Sequence, residues 1–314
     1  MRIVIWPRQS DEWVAAIGEA ASGHEVVAPA SDAEALAAAR EAEGWIGRLD
    51  RELLIAAPRL RWLQSPSISL ESIVFPELID SDVALTNMRH IYDDHIANHV
   101  LALFLAHCRD LPHLIRHQIA GEWAPEDVTV RDPAAMTIVV LGLGGIGSEL
   151  VRRLAVFGPT ILGVDPKVAT PPPGVAELHT PAALPGLLTL ADAVIICAPQ
   201  TPETTGLFDE ALFRRMQPSA LFINIGRGKI VRLAALERAL AEGWIAGAGL
   251  DVFEEEPLPA TSALWGMPNV IITPHTAGFG PHTEERRLNV ILDNVRRFVA
   301  GEPLANVTDK ARWY

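Results

Sequence analysis

Three polar residues each stand just beyond an apolar run. Arg227 lies between Gly226 and Gly228 after residues 221–225, Glu256 closes an acidic segment after residues 248–250, and His275 follows Thr273 and Pro274 after residues 270–272. Histidine is the side chain whose ordinary pKa suits proton exchange near neutrality. A carboxylate hydrogen-bonded to it fixes the ring and favours the protonated form. Arginine binds a carboxylate at two points and polarises a carbonyl beside it. The trio therefore suits reduction of a carbonyl on a small anionic substrate. Each residue alone also fits a plainer role: Arg227 as a loop residue, Glu256 as part of a solvated acidic run, His275 as a helix or turn cap. The ends of strands in an open α/β sheet are where such folds place ligands, and all three residues share that position.

A second motif supplies the partner for such chemistry. The aliphatic run 137–141 leads into Gly142-Leu-Gly-Gly-Ile-Gly147 and then into a helical pattern from Ser148. Gly142 permits the tight turn, Gly144 lets a diphosphate approach the backbone, and Gly147 lets helix and strand pack closely. Gly145 and Ile146 open the helix, whose unpaired N–H groups and positive dipole end suit phosphates. The next apolar run ends at Asp165, whose carboxylate suits ribose hydroxyls. A charged Asp165 also repels a 2′-phosphate, and Pro166 rather than arginine follows it. Lys167 offsets that repulsion only in part, so NAD is expected in preference to NADP.

The elements that must position these groups are legible as strands alternating with amphipathic helices. Strands are expected at 2–6, 25–27, 44–46, 60–64 and 83–86, then at 137–141, 161–164, 193–197, 220–224, 246–250 and 270–272. This alternation implies an α/β protein with two parallel sheets. A long helix begins near Asp93 or Asp94, and Pro112 kinks or ends it; a final helix covers 283–300. The length of 314 residues fits two domains, and 49% hydrophobic with 21% charged residues fits a globular chain with ample core. A net charge of −13 argues against nucleic acid or an anionic membrane as partner. The first residues read as a strand rather than a signal peptide, so a cytoplasmic location is expected.

Other reactive side chains carry less. Cys108 and Cys197 are too few for a disulfide framework and have no activating arrangement around them, so both read as buried, reduced thiols. His95 and His99 have the i, i+4 spacing of a zinc pair but lack the acidic residue of an HExxH arrangement, and no metal is expected.

Taken together, the glycine motif, the run from Cys197 to Leu207, Asn224-Ile-Gly-Arg-Gly228, the run from Gly249 to Pro257 and Thr273-Pro-His275 resemble the D-isomer-specific 2-hydroxyacid dehydrogenases over most of the chain. The resemblance implies Arg227 as substrate-binding arginine, Glu256 as carboxylate partner and His275 as acid/base. It places Ala198, Pro199, Ile225, Gly226 and Asp251 along the nicotinamide side. It further implies two Rossmann-like or flavodoxin-like domains with the cofactor cleft between them. Residues 1–100 and 284–314 would form a discontinuous substrate domain, residues 101–283 the NAD domain, and the assembly a homodimer. The ending around residues 301–310 resembles glyoxylate/hydroxypyruvate reductases. One departure concerns substrate choice: the loop 65–71 lacks the family's glycine, with Ser69 in its place, so Ser69 and Leu70 become candidate substrate contacts. A formate dehydrogenase-like enzyme fits less well, because Glu256 stands where those enzymes have glutamine. A dinucleotide-sensing protein resembling co-repressors on this scaffold is the alternative from another class.

Overall fold

The structure, a computed structural model, describes residues 1–313; Tyr314, the last residue of the expected substrate domain, lies outside them. The chain forms two compact units. One comprises Met1–Ile91 and the residues from Pro281 onward, the other Tyr92–Gly280.

In the first unit, β1 (Arg2–Trp6), β2 (Glu25–Val27), β3 (Gly44–Gly47), β4 (Trp62–Gln64) and β5 (Ala84–Thr86) form a parallel sheet of order β2-β1-β3-β4-β5. Three intervening helices begin at side-chain caps. Ser10 accepts from the Trp13 N–H at 3.3 Å, Ser31 from Glu34 at 3.3 Å and Asp50 from Leu53 at 3.0 Å. The closing helix, Thr283–Ala300, packs on the helix Asp11–Ala20 and puts the Phe298 ring 5.1 Å from that of Trp62. Buried Asn294 donates to Gln64 Oε1 at 2.9 Å and accepts from the Ala305 N–H at 2.8 Å, tying helix, sheet and tail together. Val307 then bridges Thr86 in antiparallel fashion.

The second unit has β6 (Thr137–Leu141), β7 (Thr160–Val164), β8 (Glu177–His179), β9 (Ala193–Ile196), β10 (Leu221–Asn224), β11 (Gly247–Leu250) and β12 (Val270–Ile272) in the parallel order β12-β11-β10-β9-β6-β7-β8. Chain order reverses between β6 and β9, the switch point at which such sheets bind ligands. Both faces are buried. Val139, Leu141, Val194, Ile196 and Phe222 pack into one core, while Ile138, Val140, Ala193, Ile195, Leu221 and Ile223 pack into the other. This double burial is why these strands read as unbroken apolar runs.

The helix Asp93–Cys108 lies wholly in the second unit, burying Ile96, Val100, Leu103 and Phe104 at helical spacing against the second of those cores. The boundary therefore falls before Tyr92 and after Gly280, not after residues 100 and 283. A separate helix, Leu111–Ala120, takes Pro112 in its first turn, where no N–H is needed. Among the described residues, no helix is long and apolar enough to cross a membrane.

Candidate active site

The carboxyl ends of β6, β9 and β10 are drawn together by residues without side chains. Gly142 has φ +91, and a Cβ there would stand 2.7 Å from the Ala198 backbone. A Cβ on Gly226 would lie 2.5 Å from the Ala198 carbonyl oxygen, and one on Gly147 only 1.9 Å from that of Gly142. Gly144 is different, because a Cβ there meets nothing within 4 Å. The loop is thus closed against its own protein yet open at Gly144, just before the helix Gly145–Leu154, as a cradle for a diphosphate requires. These residues fit a dinucleotide.

Asp165 sits at the end of β7 with its carboxylate turned to both neighbouring loops. Oδ2 accepts from the Leu143 N–H at 2.8 Å, while Oδ1 accepts from Lys167 at 2.8 Å and Val168 at 3.0 Å. It braces the glycine loop against the loop that follows β7. Ala198 and Ile225 are buried and Pro199 is exposed beside them.

Arg227 is held on a turn that its neighbours shape. Asn224, almost wholly buried, accepts from the Gly226 N–H at 3.1 Å and donates to the Arg227 carbonyl at 3.1 Å. Gly228 comes so close to the next loop that a Cβ would stand 1.8 Å from the Phe253 carbonyl oxygen. In that loop, Glu256 accepts from the Phe253 N–H through Oε1 at 2.9 Å and meets His275 Nδ1 through Oε2 at 2.7 Å. With Nδ1 bound to the carboxylate, Nε2 is the nitrogen left for proton exchange on a half-exposed ring. Asp251 is 1% exposed and faces inward, toward the loop that carries His275.

The other expected residues lie elsewhere. Ser69 and Leu70 belong to the first unit. Ser69 shares a hydroxyl contact of 2.9 Å with Ser67, whose Oγ also accepts from the Ser69 N–H at 3.1 Å. Leu70 is buried in the first unit's core, which leaves only its backbone for a substrate. Asn224 is the residue that motif reading passed over; its signal was its place immediately before Ile-Gly-Arg. His99 bonds to Thr273, and among the described residues no group of three or more His, Cys, Asp or Glu is placed to hold a metal ion. Burial pushes the Cys197 thiol up to about 12 and the Cys108 thiol up to about 11, so neither is a nucleophile near neutrality.

A doubly wound parallel sheet with an open glycine cradle at its switch point defines a dinucleotide-binding protein. Residues 101–277 match the family described as D-isomer specific 2-hydroxyacid dehydrogenase, NAD binding domain, and the chain belongs to that family. It is 35% identical over 287 residues to glyoxylate/hydroxypyruvate reductase B of Pectobacterium carotovorum, covering 88% of each chain. It is 31% identical over 305 residues to D-3-phosphoglycerate dehydrogenase of Mycobacterium tuberculosis, covering 96% of this chain but 57% of that longer protein. Among solved structures, a D-isomer specific 2-hydroxyacid dehydrogenase from Xanthobacter autotrophicus in complex with NADPH and MES superposes with a TM-score of 0.84 at 32% identity, covering 100% of this chain and 99% of that one.

Proposed function

We propose that this protein reduces small 2-keto acids, with glyoxylate and hydroxypyruvate as the preferred class, to 2-hydroxy acids at the expense of NADH. The observation that carries this reading is the 2.7 Å contact between His275 and Glu256 at the sheet edge that also holds the Arg227 turn. When bound, the nicotinamide supplies the hydride. His275 gives its Nε2 proton to the keto oxygen, and Glu256 holds the ring through Nδ1. Arg227 binds the substrate carboxylate and polarises the carbonyl. The first unit is assigned the substrate-binding role and the second the cofactor role.

NADH is favoured over NADPH because three backbone N–H groups fix the Asp165 carboxylate, so it cannot swing away from a 2′-phosphate. The Xanthobacter relative holds NADPH, which makes the cofactor a separate arm of the test. Oxidation of NADH and of NADPH is followed with glyoxylate, hydroxypyruvate, pyruvate and 3-phosphohydroxypyruvate. Turnover with the first two and a kcat/KM at least about tenfold higher for NADH are expected. Equal efficiency with NADPH overturns the cofactor choice, and no turnover despite dinucleotide binding favours a sensor. Arg227→Ala is expected to raise KM for the keto acid at least about tenfold; unchanged kinetics remove Arg227 from substrate binding.

The reading includes a homodimer. Leu111, Ile115, Ile119 and Trp123 are spaced by four residues along and just beyond one helix, and they are 42%, 50%, 81% and 94% exposed. Such a stripe suits a second copy of the chain. Sedimentation at micromolar concentration is expected to give twice the 34.0 kDa chain mass, and a monomer there refutes the dimer.

A further inference from the structure

His275 has φ +54, in the left-handed region that residues other than glycine adopt uncommonly. Its own N–H donates to the Asp251 carbonyl at 2.9 Å. The next two N–H groups bind the Asp251 carboxylate, Thr276 at 2.9 Å to Oδ1 and Ala277 at 3.0 Å to Oδ2. A buried carboxylate needs every such donor.

Thr273 is a further one, its hydroxyl donating to Asp251 Oδ1 at 2.6 Å. A hydroxyl carries one proton, so the other contact of Thr273 Oγ1, to His99 Nε2 at 2.9 Å, has to be one in which the histidine donates. His99 is therefore held with Nε2 protonated. It stands on the helix Asp93–Cys108, which Ile96, Val100 and Leu103 fix in the core. A hydrogen-bonded chain thus runs from a rigid helix through His99, Thr273 and Asp251 to the loop that bears His275.

We infer that His99 and Thr273 are positioning residues for His275, holding its loop in the left-handed turn through the Asp251 carboxylate. Loss of the His99 donor frees the Thr273 hydroxyl to turn, weakens its bond to Oδ1 and loosens the loop. The inference rests on the acid/base reading of His275 given above.

The test compares His99→Leu, which removes the donor, with His99→Gln, whose amide offers one near the same place. Thr273→Val serves as an independent break in the chain, and His99→Leu/Thr273→Val completes a cycle. Amide exchange at Thr276 and Ala277 is measured without dinucleotide, and kcat and KM are measured with glyoxylate and NADH.

His99→Leu and Thr273→Val are each expected to speed exchange about tenfold and lower kcat about tenfold with KM within about twofold. His99→Gln is expected to stay within about threefold of the parent, and the double variant to be no worse than either single one. Unaltered exchange in His99→Leu overturns the role of His99, as does a double variant in which the single effects multiply. A parent protein inert toward every keto acid, yet with exchange faster in His99→Leu, overturns the acid/base reading of His275 instead.

Discussion

His275→Ala is expected to lower kcat at least about a hundredfold while NADH still binds within a fewfold of its original affinity. The size follows from what the side chain does rather than from what it holds. A positioned general acid contributes about 10²–10⁴ in rate, and the ring is half exposed, so its removal leaves no cavity in either core. Nor is it a partner that the fold depends on. Among the described residues its Nδ1 contact with Glu256 is its one side-chain bond, and Glu256 keeps a second anchor on the Phe253 N–H at 2.9 Å. Glu256→Gln keeps the shape but takes away the carboxylate that meets Nδ1 and orients the ring, so its effect on kcat is smaller. Stopped-flow and steady-state rates with glyoxylate, beside an NADH fluorescence titration, decide the matter. Near-normal turnover in His275→Ala removes this residue from the acid/base role.

Gly147→Ala is expected to weaken dinucleotide binding at least about a hundredfold, whereas Gly144→Ala leaves the fold untouched and weakens binding alone. The added methyl at position 147 would stand 1.9 Å from the Gly142 carbonyl oxygen, well inside van der Waals contact. That oxygen belongs to the turn out of β6, itself pressed against the Ala198 backbone, so the helix rather than the turn has to retreat. A displacement of about 1 Å is enough to cost about 10² in a positioned site, and overpacking adds about 1–3 kcal/mol of destabilisation. At position 144 a methyl meets no protein atom within 4 Å, so only a ligand would feel it. Fluorescence titration with NADH and thermal unfolding of the two variants separate these effects. Full affinity in Gly147→Ala would show that the helix can yield without loss.

The central strands of both sheets are legible because burial on two faces writes them as continuous apolar runs, and the glycine loop is legible because each glycine replaces a collision. β8 is not, since Glu177–His179 is a three-residue edge strand with no buried residue. The domain boundary escapes for another reason. A helix beginning at Asp93 is visible in the sequence, but which core its apolar stripe enters depends on packing. In the site, Arg227, Glu256 and His275 follow strands and carry distinctive chemistry, so residue type and position point to them. Asn224, Thr273 and His99 do not announce themselves in that way. The His99–Thr273 contact joins residues 174 apart in sequence, and it exists only because the long helix crosses the sheet at one particular height. Ser69 looks like a substrate contact from its position, while much of the hydrogen bonding of Ser65, Ser67 and Ser69 goes to shaping their own loop.

The first unit is made of two stretches of chain, and this bears on how the protein comes into being. During synthesis, residues 1–91 emerge first, yet Asn294, Phe298 and Val307, which seal β4 and β5, arrive last. The earliest sheet must therefore wait, with its apolar face uncovered, while the later nucleotide unit is translated in full and free to collapse. At about 5–20 residues per second that wait lasts on the order of ten seconds or more. It is during this interval that a nascent-chain chaperone would find its binding site, on the uncovered face of the five-stranded sheet rather than on the second unit.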